Sequence, residues 1–252
     1  MQGMPSAWQT FPCPGSSPRW RYLDDGHVEI EGEGVQARAW PSAMAQWGAL
    51  IRASASKYQI PAAWLAAIMA LESGGKPGLC ARLPDGTCAQ NEGAGLMAIL
   101  PSTASLLAGR GVSSQELLSN NALSIDLGAK YLRQNLDANV GDFVRAAVAY
   151  NAGSVRCGTG STWRPSGSSL PKFPCPTTWN VIMGCVDVPM GSGNVVSNDY
   201  PRAAIRFLNA ALDAGFGAGA AAPEAQGGGA EGLIAGALGI GFGFWVTRVV
   251  FG

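Results

Sequence analysis

The sequence predicts a mainly α domain, with a small β-hairpin before it and an apolar helix after it. From position 41 to about position 213, apolar residues recur three and four positions apart. Pro, Asn and Gly divide this region into six or seven short helices. Alternation of apolar and polar residues is confined to one stretch near the N-terminus. A chain of 252 residues can form one good core with appended segments.

Residues that begin or end helices bound the helical runs. Pro101 fits a first helical turn, Gly109 fits a helix end, and Asn120 or Asn121 fits an N-cap. A loop is expected from 154 to 198. The predicted helices cover residues 41–58, 60–73, 101–109, 120–141, 142–153 and 198–215.

The β signal is the stretch RWRYLDDGHVEIEGEGV at residues 19–35. Two alternating runs flank DDG, which is a strong turn sequence, so a hairpin is expected. No second strand-rich stretch is apparent. We therefore expect residues 1–40 to form an N-terminal extension, appended to a helical domain at residues 41–214.

The C-terminal quarter is rich in glycine. Residues 215–231, GFGAGAAAPEAQGGGAE, have the composition of a flexible linker. Residues 232–252 are apolar apart from Arg248, and glycines 232, 236, 239 and 243 fall on one helix face. A helix of this length would extend about 31 Å, so we expect it to span a membrane. The alternatives are a low-complexity tail and a helix packed on another protein.

Charge and cysteine content limit the kinds of ligand that the protein is expected to bind. The net charge is zero with 13% charged residues, which gives no basic surface for nucleic acid. None of the cysteines forms a CxxC pair and His27 is the single histidine, so no metal site is expected. Because the cysteines flank turn-rich loops, we expect disulfides and an oxidising workplace, although buried thiols are the alternative. The best local pair is Cys80 with Cys88.

Glu72 is the first candidate catalytic residue. It ends the apolar run IPAAWLAAIMALE and is followed by SGG. A helix that is apolar on all sides belongs in a core, and burial at its end favours a protonated carboxylic acid, as a glycosidic general acid requires. The alternative is an ordinary solvated glutamate. A carboxylate is also unfavourable at a helix C-terminus, which favours a functional reason for its presence.

Further segments follow Glu72 in a recognisable order. GAGLMAILPSTA (93–104) and AAVAYNAG (146–153) come after the ES pair. This order resembles the lytic transglycosylases of the soluble lytic transglycosylase (SLT) family, in the lysozyme-like superfamily. NNALSIDLGAKYL and NDYPRAAIRFL are similar to two further helices of that family. The resemblance covers about residues 41–213 and implies a lysozyme-like helical fold.

The resemblance assigns roles to single residues. Glu72 matches the catalytic acid/base, and Ser73 matches a neighbour that supports the glutamate or the substrate. Tyr150 matches a tyrosine near the catalytic carboxyl, and Asn151 matches an asparagine near the bound sugar.

The resemblance also implies a wall of the glycan groove. Gly95, Leu96 and Met97 match the loop that forms this wall. The family usually has Gln after GLM, whereas this chain has Ala98. One substrate contact is therefore expected to differ, but not the chemistry.

A single positioned acid favours a mechanism in which the substrate supplies the second reacting group. Asp85 lies in a turn sequence, and Glu92 could line the groove although nothing positions it, so neither is expected to be a second catalytic carboxylate. N-acetylmuramic acid (MurNAc) carries an N-acetyl group that can assist at C1 and a 6-hydroxyl that can attack C1. Trp163 and Trp179 could stack on sugars or pack under the long loop. No cofactor is implied.

We therefore predict a peptidoglycan lytic transglycosylase that cleaves the β-1,4 bond between MurNAc and N-acetylglucosamine (GlcNAc) and forms 1,6-anhydroMurNAc. The alternatives are a lysozyme-type muramidase and a non-catalytic anchored protein of the same fold. Its partners would be peptidoglycan strands, a membrane through residues 232–252, and virion or secretion-machinery proteins. No secretory signal is apparent at the N-terminus. We expect action in the bacterial periplasm after delivery with a phage virion during genome entry. A conjugation or secretion system is the alternative setting.

Overall fold

Helices form most of the computed structural model, which describes residues 7–10, 18–80, 87–88, 92–152, 162–163, 173–174, 188–190, 194–196 and 200–217. A 3₁₀ helix at Ser42–Trp47 leads into the first α-helix, and a π-helical turn at Leu212–Phe216 follows the last. The α-helices of this part of the chain are α1 (Gly48–Lys57), α2 (Ala62–Ser73), α3 (Pro101–Ala108), α4 (Ser114–Ser119), α5 (Asn121–Ala138), α6 (Phe143–Ala152) and α7 (Tyr200–Ala211). The predicted mainly α class is confirmed.

Helix α2 lies at the centre of the core. Every residue from 62 to 71 is at most 6% exposed. Helices α1, α5 and α7 pack against it, and α6 packs on α5 and α7. Small alanine side chains alternate with Trp64, Leu65, Ile68 and Met69 along α2, which lets neighbours approach from several directions. The predicted burial of this helix on nearly all sides is confirmed.

Several predicted helix ends are confirmed. Pro101 occupies the first turn of α3, and Gly109 ends that helix with a φ of +67°. At the start of α5, the Asn120 side chain accepts a hydrogen bond from the Leu123 N–H at 3.0 Å. Asn120 is therefore the cap of this helix. The expected cap of α7, at 198 or 199, lies outside the described residues.

Helix α4 has no counterpart in the helices predicted from periodicity. Its N-cap is Ser113, whose hydroxyl accepts a hydrogen bond from the Glu116 N–H at 3.1 Å. The spacing S-x-x-E is a capping-box pattern that would have marked this start. Only six residues follow, too few for a periodic pattern to stand out.

The N-terminal hairpin is present and is extended by a third strand. Strand β1 (Trp20–Tyr22) pairs antiparallel with β2 (Val28–Ile30), and β2 pairs with β3 (Gly34–Val35). Glycines 32 and 34 have φ values of +78° and +73°, which allow the tight second turn. The predicted two-stranded hairpin is therefore part of a three-stranded sheet.

The sheet is part of the domain core, which corrects the expectation of an appendage. Trp20, Val28 and Ile30 are fully buried in the same apolar cluster as α2. The Tyr22 hydroxyl accepts a hydrogen bond from the Phe143 N–H, at the start of α6, at 3.0 Å. The alternating residues of the hairpin thus bury one face against the helices, which a single hairpin needs for stability.

Other strands correct the expectation that no further β structure exists. β4 (Thr162–Trp163) pairs with β5 (Phe173–Pro174), and β6 (Val188–Met190) pairs with β7 (Asn194–Val196). These two short pairs lie within the segment predicted as a loop. Each strand has only two or three residues, so alternation along the sequence is too brief to predict them.

The Cys80–Cys88 disulfide is present, with the two Cα atoms 5.7 Å apart. This confirms the predicted local pair. Cysteines 13, 157, 175 and 185 lie outside the described residues, as do the linker from 218 to 231 and the apolar segment 232–252. In the part of the chain that the structure describes, no helix has the length and apolar character that a membrane crossing requires.

Candidate active site

Glu72 lies one residue before the end of α2 and is half-buried. The Tyr200 hydroxyl donates a hydrogen bond to its Oε1 atom at 2.7 Å. Tyr200 is the first residue of α7 and is 3% exposed. The carboxyl group is therefore oriented by a hydroxyl from a helix that follows it in sequence by 128 positions.

The SGG sequence after Glu72 ends the helix sharply. Gly74 and Gly75 have φ values of +60° and +75°, which glycine adopts without strain. The Ser73 hydroxyl donates to the Met69 carbonyl at 3.1 Å and accepts from the Gly75 N–H at 3.1 Å. Ser73 is buried and holds the end of α2, and its predicted support of Glu72 or of the substrate stays a prediction.

Residues 43–47 also contact the turn that follows α2. A Cβ atom on Gly75 would come within 2.8 Å of the Met44 sulfur and 3.0 Å of the Ala43 backbone. The Trp47 indole Nε1 donates to the Gly75 carbonyl at 2.8 Å. The 3₁₀ helix therefore packs directly on the turn. This packing fixes where the last turn of α2, and with it Glu72, lies.

The predicted groove-wall loop is anchored from two helices. Leu96 and Met97 are fully buried, so their side chains belong to the core. The Met97 carbonyl accepts a hydrogen bond from the Tyr150 hydroxyl at 2.9 Å, and the Met97 N–H donates to the Ser124 hydroxyl at 3.3 Å. Tyr150 thus links α6 to the loop. Its predicted place beside the Glu72 carboxyl stays a prediction.

Two glycines allow the loop to lie this close to its neighbours. A Cβ atom on Gly95, where φ is +74°, would lie 2.5 Å from the Leu117 carbonyl oxygen and 2.7 Å from Ser124 Oγ. A Cβ atom on Gly128 would lie 2.4 Å from the Met97 Cγ atom. Both positions require the absence of a side chain.

Ala98 occupies the position where the family usually has Gln. It is half-buried and its φ is +45°, a conformation that L residues other than glycine adopt at a cost of about 1–3 kcal/mol. Its N–H donates to the Gly95 carbonyl at 3.0 Å, which closes the loop into a turn. The loop geometry, rather than the side chain at this position, selects the conformation.

The remaining candidate residues lie partly within and partly outside the described residues. Asn151 is the penultimate residue of α6 and is half-buried. Glu92 is also half-buried. Asp85 and Trp179 lie outside the described residues, and Trp163 forms part of β4. In the described residues no group of three His, Cys, Asp or Glu side chains could hold a metal ion.

Tyr200 is the site residue that the sequence-based predictions did not include. It lies in NDYPRAAIRFL, which the sequence predicts as a helix and not as part of the site. The available signal is a tyrosine in the first turn of a strongly amphipathic helix. That signal cannot name its partner, because a contact across 128 positions is a property of the tertiary packing.

A mainly helical domain whose buried central helix carries a half-buried glutamate near its end is consistent with the predicted lysozyme-like fold. Residues 49–162 match the family model of the transglycosylase SLT domain. This match confirms the predicted resemblance to the SLT family over residues 49–162. The match includes Glu72, the Gly95–Met97 loop and Tyr150. The N-terminal sheet and α7 lie outside it.

The chain also matches solved structures, one of which is a lytic transglycosylase. The chain is similar to the lytic transglycosylase Slt from Pseudomonas aeruginosa, in the X-ray structure of an inactive mutant. The identity is 32% and the TM-score is 0.35. The similarity covers 44% of this chain and 17% of that chain, so the chain spans about one sixth of that protein. Comparison with curated proteins gives no significant match.

Proposed function

We propose that this protein is a peptidoglycan lytic transglycosylase and that Glu72 is its catalytic acid/base. The proposal rests on the match of residues 49–162 to the SLT domain and on one observation at Glu72. Glu72 ends the buried helix α2, and the Tyr200 hydroxyl holds its carboxyl group at 2.7 Å. Such orientation is what a general acid needs, because proton transfer requires hydrogen-bond reach to the reacting oxygen.

In the first step, protonated Glu72 gives its proton to the glycosidic oxygen between MurNAc C1 and GlcNAc. The C1–O bond breaks and the GlcNAc hydroxyl leaves. The MurNAc N-acetyl group assists at C1 in place of a second protein carboxylate. The Tyr200 hydroxyl stabilises the carboxylate that this step creates, since a hydrogen bond to a charged acceptor is stronger than a neutral one.

In the second step, the Glu72 carboxylate takes the proton of the MurNAc 6-hydroxyl. The oxygen then forms a bond to C1 and closes the 1,6-anhydro ring. Glu72 returns to its protonated form and no water is consumed. One residue therefore serves as acid and then as base.

Substitution of Glu72 by glutamine tests this assignment. Purified sacculi would be digested with wild type and Glu72→Gln, and released muropeptides would be separated by chromatography. We expect a loss of at least about 100-fold, because Gln keeps the shape and cannot transfer the proton. Glu116→Gln, in the exposed ion pair with Arg110, is the matched control and should digest normally. An active Glu72→Gln protein would refute the assignment.

We also propose that the protein acts in the bacterial envelope, as predicted. The Cys80–Cys88 disulfide supports it, because disulfides persist in oxidising compartments. Delivery with a phage virion is the setting that we favour, and wall opening by a conjugation or secretion system is the alternative. Mass spectrometry of purified virions tests the setting, since a virion component must be found there.

A further inference from the structure

The N-terminal sheet and the segment after it contact α7 along its length. In the turn between β2 and β3, the Glu33 carboxylate pairs with Arg202 Nε at 2.5 Å and with Arg206 Nη2 at 2.9 Å. The Arg38 N–H donates to the Arg206 carbonyl at 3.1 Å. Each pairing joins the N-terminal segment to α7, although α7 lies more than 160 positions away.

A second set of contacts lies one turn further along α7. Asn209 is fully buried, and its Oδ1 atom accepts from the Val28 N–H at 2.8 Å. Its Nδ2 atom donates to the carbonyls of Val28 and Gln36 at 2.9 and 2.8 Å. The side-chain amide thus joins α7 both to β2 and to the segment that follows β3.

Glu33 has a particular electrostatic role at the start of α7. Arg202 and Arg206 are four positions apart, so they lie on one helix face and repel each other. The Glu33 carboxylate lies between the two guanidinium groups and cancels this repulsion. The side chains of Glu33 and Arg202 are 26% and 20% exposed, so water screens the pairing only in part.

The first turn of α7 also carries Tyr200, two residues before Arg202. The position of that turn decides whether the Tyr200 hydroxyl reaches Glu72 at 2.7 Å. A displacement of about 1 Å at a catalytic group can cost as much as 100-fold in rate. The same helical turn therefore bears the Glu33 contact on one side and the site contact on the other.

We infer that Glu33 is a positioning residue for the reaction, acting through the first turn of α7 on Tyr200 and thereby on Glu72. The inference rests on the proposed function. Through Glu33, the N-terminal sheet would contribute to the reaction, although it lies outside the matched SLT segment.

Glu33→Gln tests the inference, with Glu31→Gln as the matched control. Glu31 belongs to the same turn, and its carboxylate forms an exposed ion pair with Arg19. We expect Glu33→Gln to lower turnover on sacculi about tenfold with little change in KM. Glu31→Gln should stay within about twofold, since exposed pairs contribute little. Equal turnover of the two variants would overturn the inference.

A double substitution separates positioning from a general structural effect. If Glu33 acts through the Tyr200 hydroxyl, Glu33→Gln should cost less than about twofold in a Tyr200→Phe background. A structural defect would instead lower turnover about tenfold in both backgrounds, and that result would overturn the inference.

Hydrogen exchange gives a readout that does not need activity. The amides of residues 204–206 donate to carbonyls of the first turn of α7. They should exchange faster in Glu33→Gln than in wild type or Glu31→Gln, and unchanged exchange would overturn the inference. If wild type itself releases no anhydromuropeptide, the proposed function fails, while the exchange comparison still decides whether Glu33 holds this turn.

Discussion

At the scale of single residues, Glu72 combines two features that ordinarily oppose each other. It lies at the end of a helix whose body is buried, yet it is itself only half-buried. A carboxylate is disfavoured at a helix C-terminus, where the last carbonyls carry partial negative charge. The Tyr200 hydroxyl offsets part of this cost by donating to Oε1 at 2.7 Å.

Removal of the Tyr200 hydroxyl should slow the reaction without unfolding the domain. We expect Tyr200→Phe to lower turnover by about 10- to 100-fold, the effect of one hydrogen bond to a charged group. The ring keeps its packing, so the melting temperature should change little. Tyr58→Phe is the matched control. The Tyr58 hydroxyl donates a hydrogen bond of 2.9 Å to the Asp126 carboxylate, so this variant also loses one hydrogen bond to a carboxylate. Equal rates for the two variants would contradict a role of Tyr200 in the site.

At the scale of elements, the Gly95–Met97 loop receives its shape from α5 and α6. Ser124 and Gly128 are four positions apart on α5. The Ser124 hydroxyl accepts a hydrogen bond from the Met97 N–H, and the Met97 side chain occupies the space that a side chain at Gly128 would fill. Tyr150 on α6 adds the bond to the Met97 carbonyl. The loop is therefore set by helix surfaces, and its buried side chains serve that purpose.

Gly128→Ala tests this packing. The added Cβ atom would meet Met97 Cγ at 2.4 Å, so the loop or the helix must move. We expect the free energy of unfolding in urea to fall by about 1–3 kcal/mol, with reduced turnover. Gly111→Ala is the control, because no atom lies within 4 Å of its Cβ position. If both variants unfold at the same urea concentration, the close contact does not exist in solution.

The sequence predicts most of these elements and few of their contacts. Pro101, Gly109 and Asn120 mark helix ends because their backbone or side-chain chemistry acts locally. The Cys80–Cys88 bond is also local, since eight positions separate the two residues. The Tyr200–Glu72 contact depends on how α7 packs on α2, which no local pattern encodes. For α4, the local signal is the S-x-x-E spacing that begins at Ser113.

At the scale of the whole molecule, the N-terminal sheet joins the start of α6 to the core. The Trp20 indole donates to Asp142 Oδ2 at 3.2 Å, and Asp142 Oδ1 accepts from the Arg145 N–H at 2.9 Å. Asp142 therefore caps α6 and binds the sheet. Burial raises the pKa of the Asp142 carboxyl above its ordinary value.

This raised pKa predicts a pH-dependent stability. The folded state holds the Asp142 proton more tightly than the unfolded state, so the stabilisation is complete below the unfolded pKa and is lost as pH rises through the folded pKa. Asp142→Asn keeps a capping side chain without the titration. The free energy of unfolding of wild type should therefore fall relative to that of Asp142→Asn as pH rises from about 3.5 towards neutrality. Urea unfolding across this range measures the difference, and a constant or rising difference would contradict the account.

The central claim is that one oriented glutamate transfers the glycan strand to its own 6-hydroxyl instead of to water. Digestion of purified sacculi by wild-type protein in ¹⁸O-labelled water, followed by mass spectrometry of the products, tests this claim most directly. The account predicts muropeptides that end in 1,6-anhydroMurNAc, lighter by one water than hydrolytic products and free of the label. Products with a reducing MurNAc end that carries ¹⁸O would contradict it and would identify a muramidase.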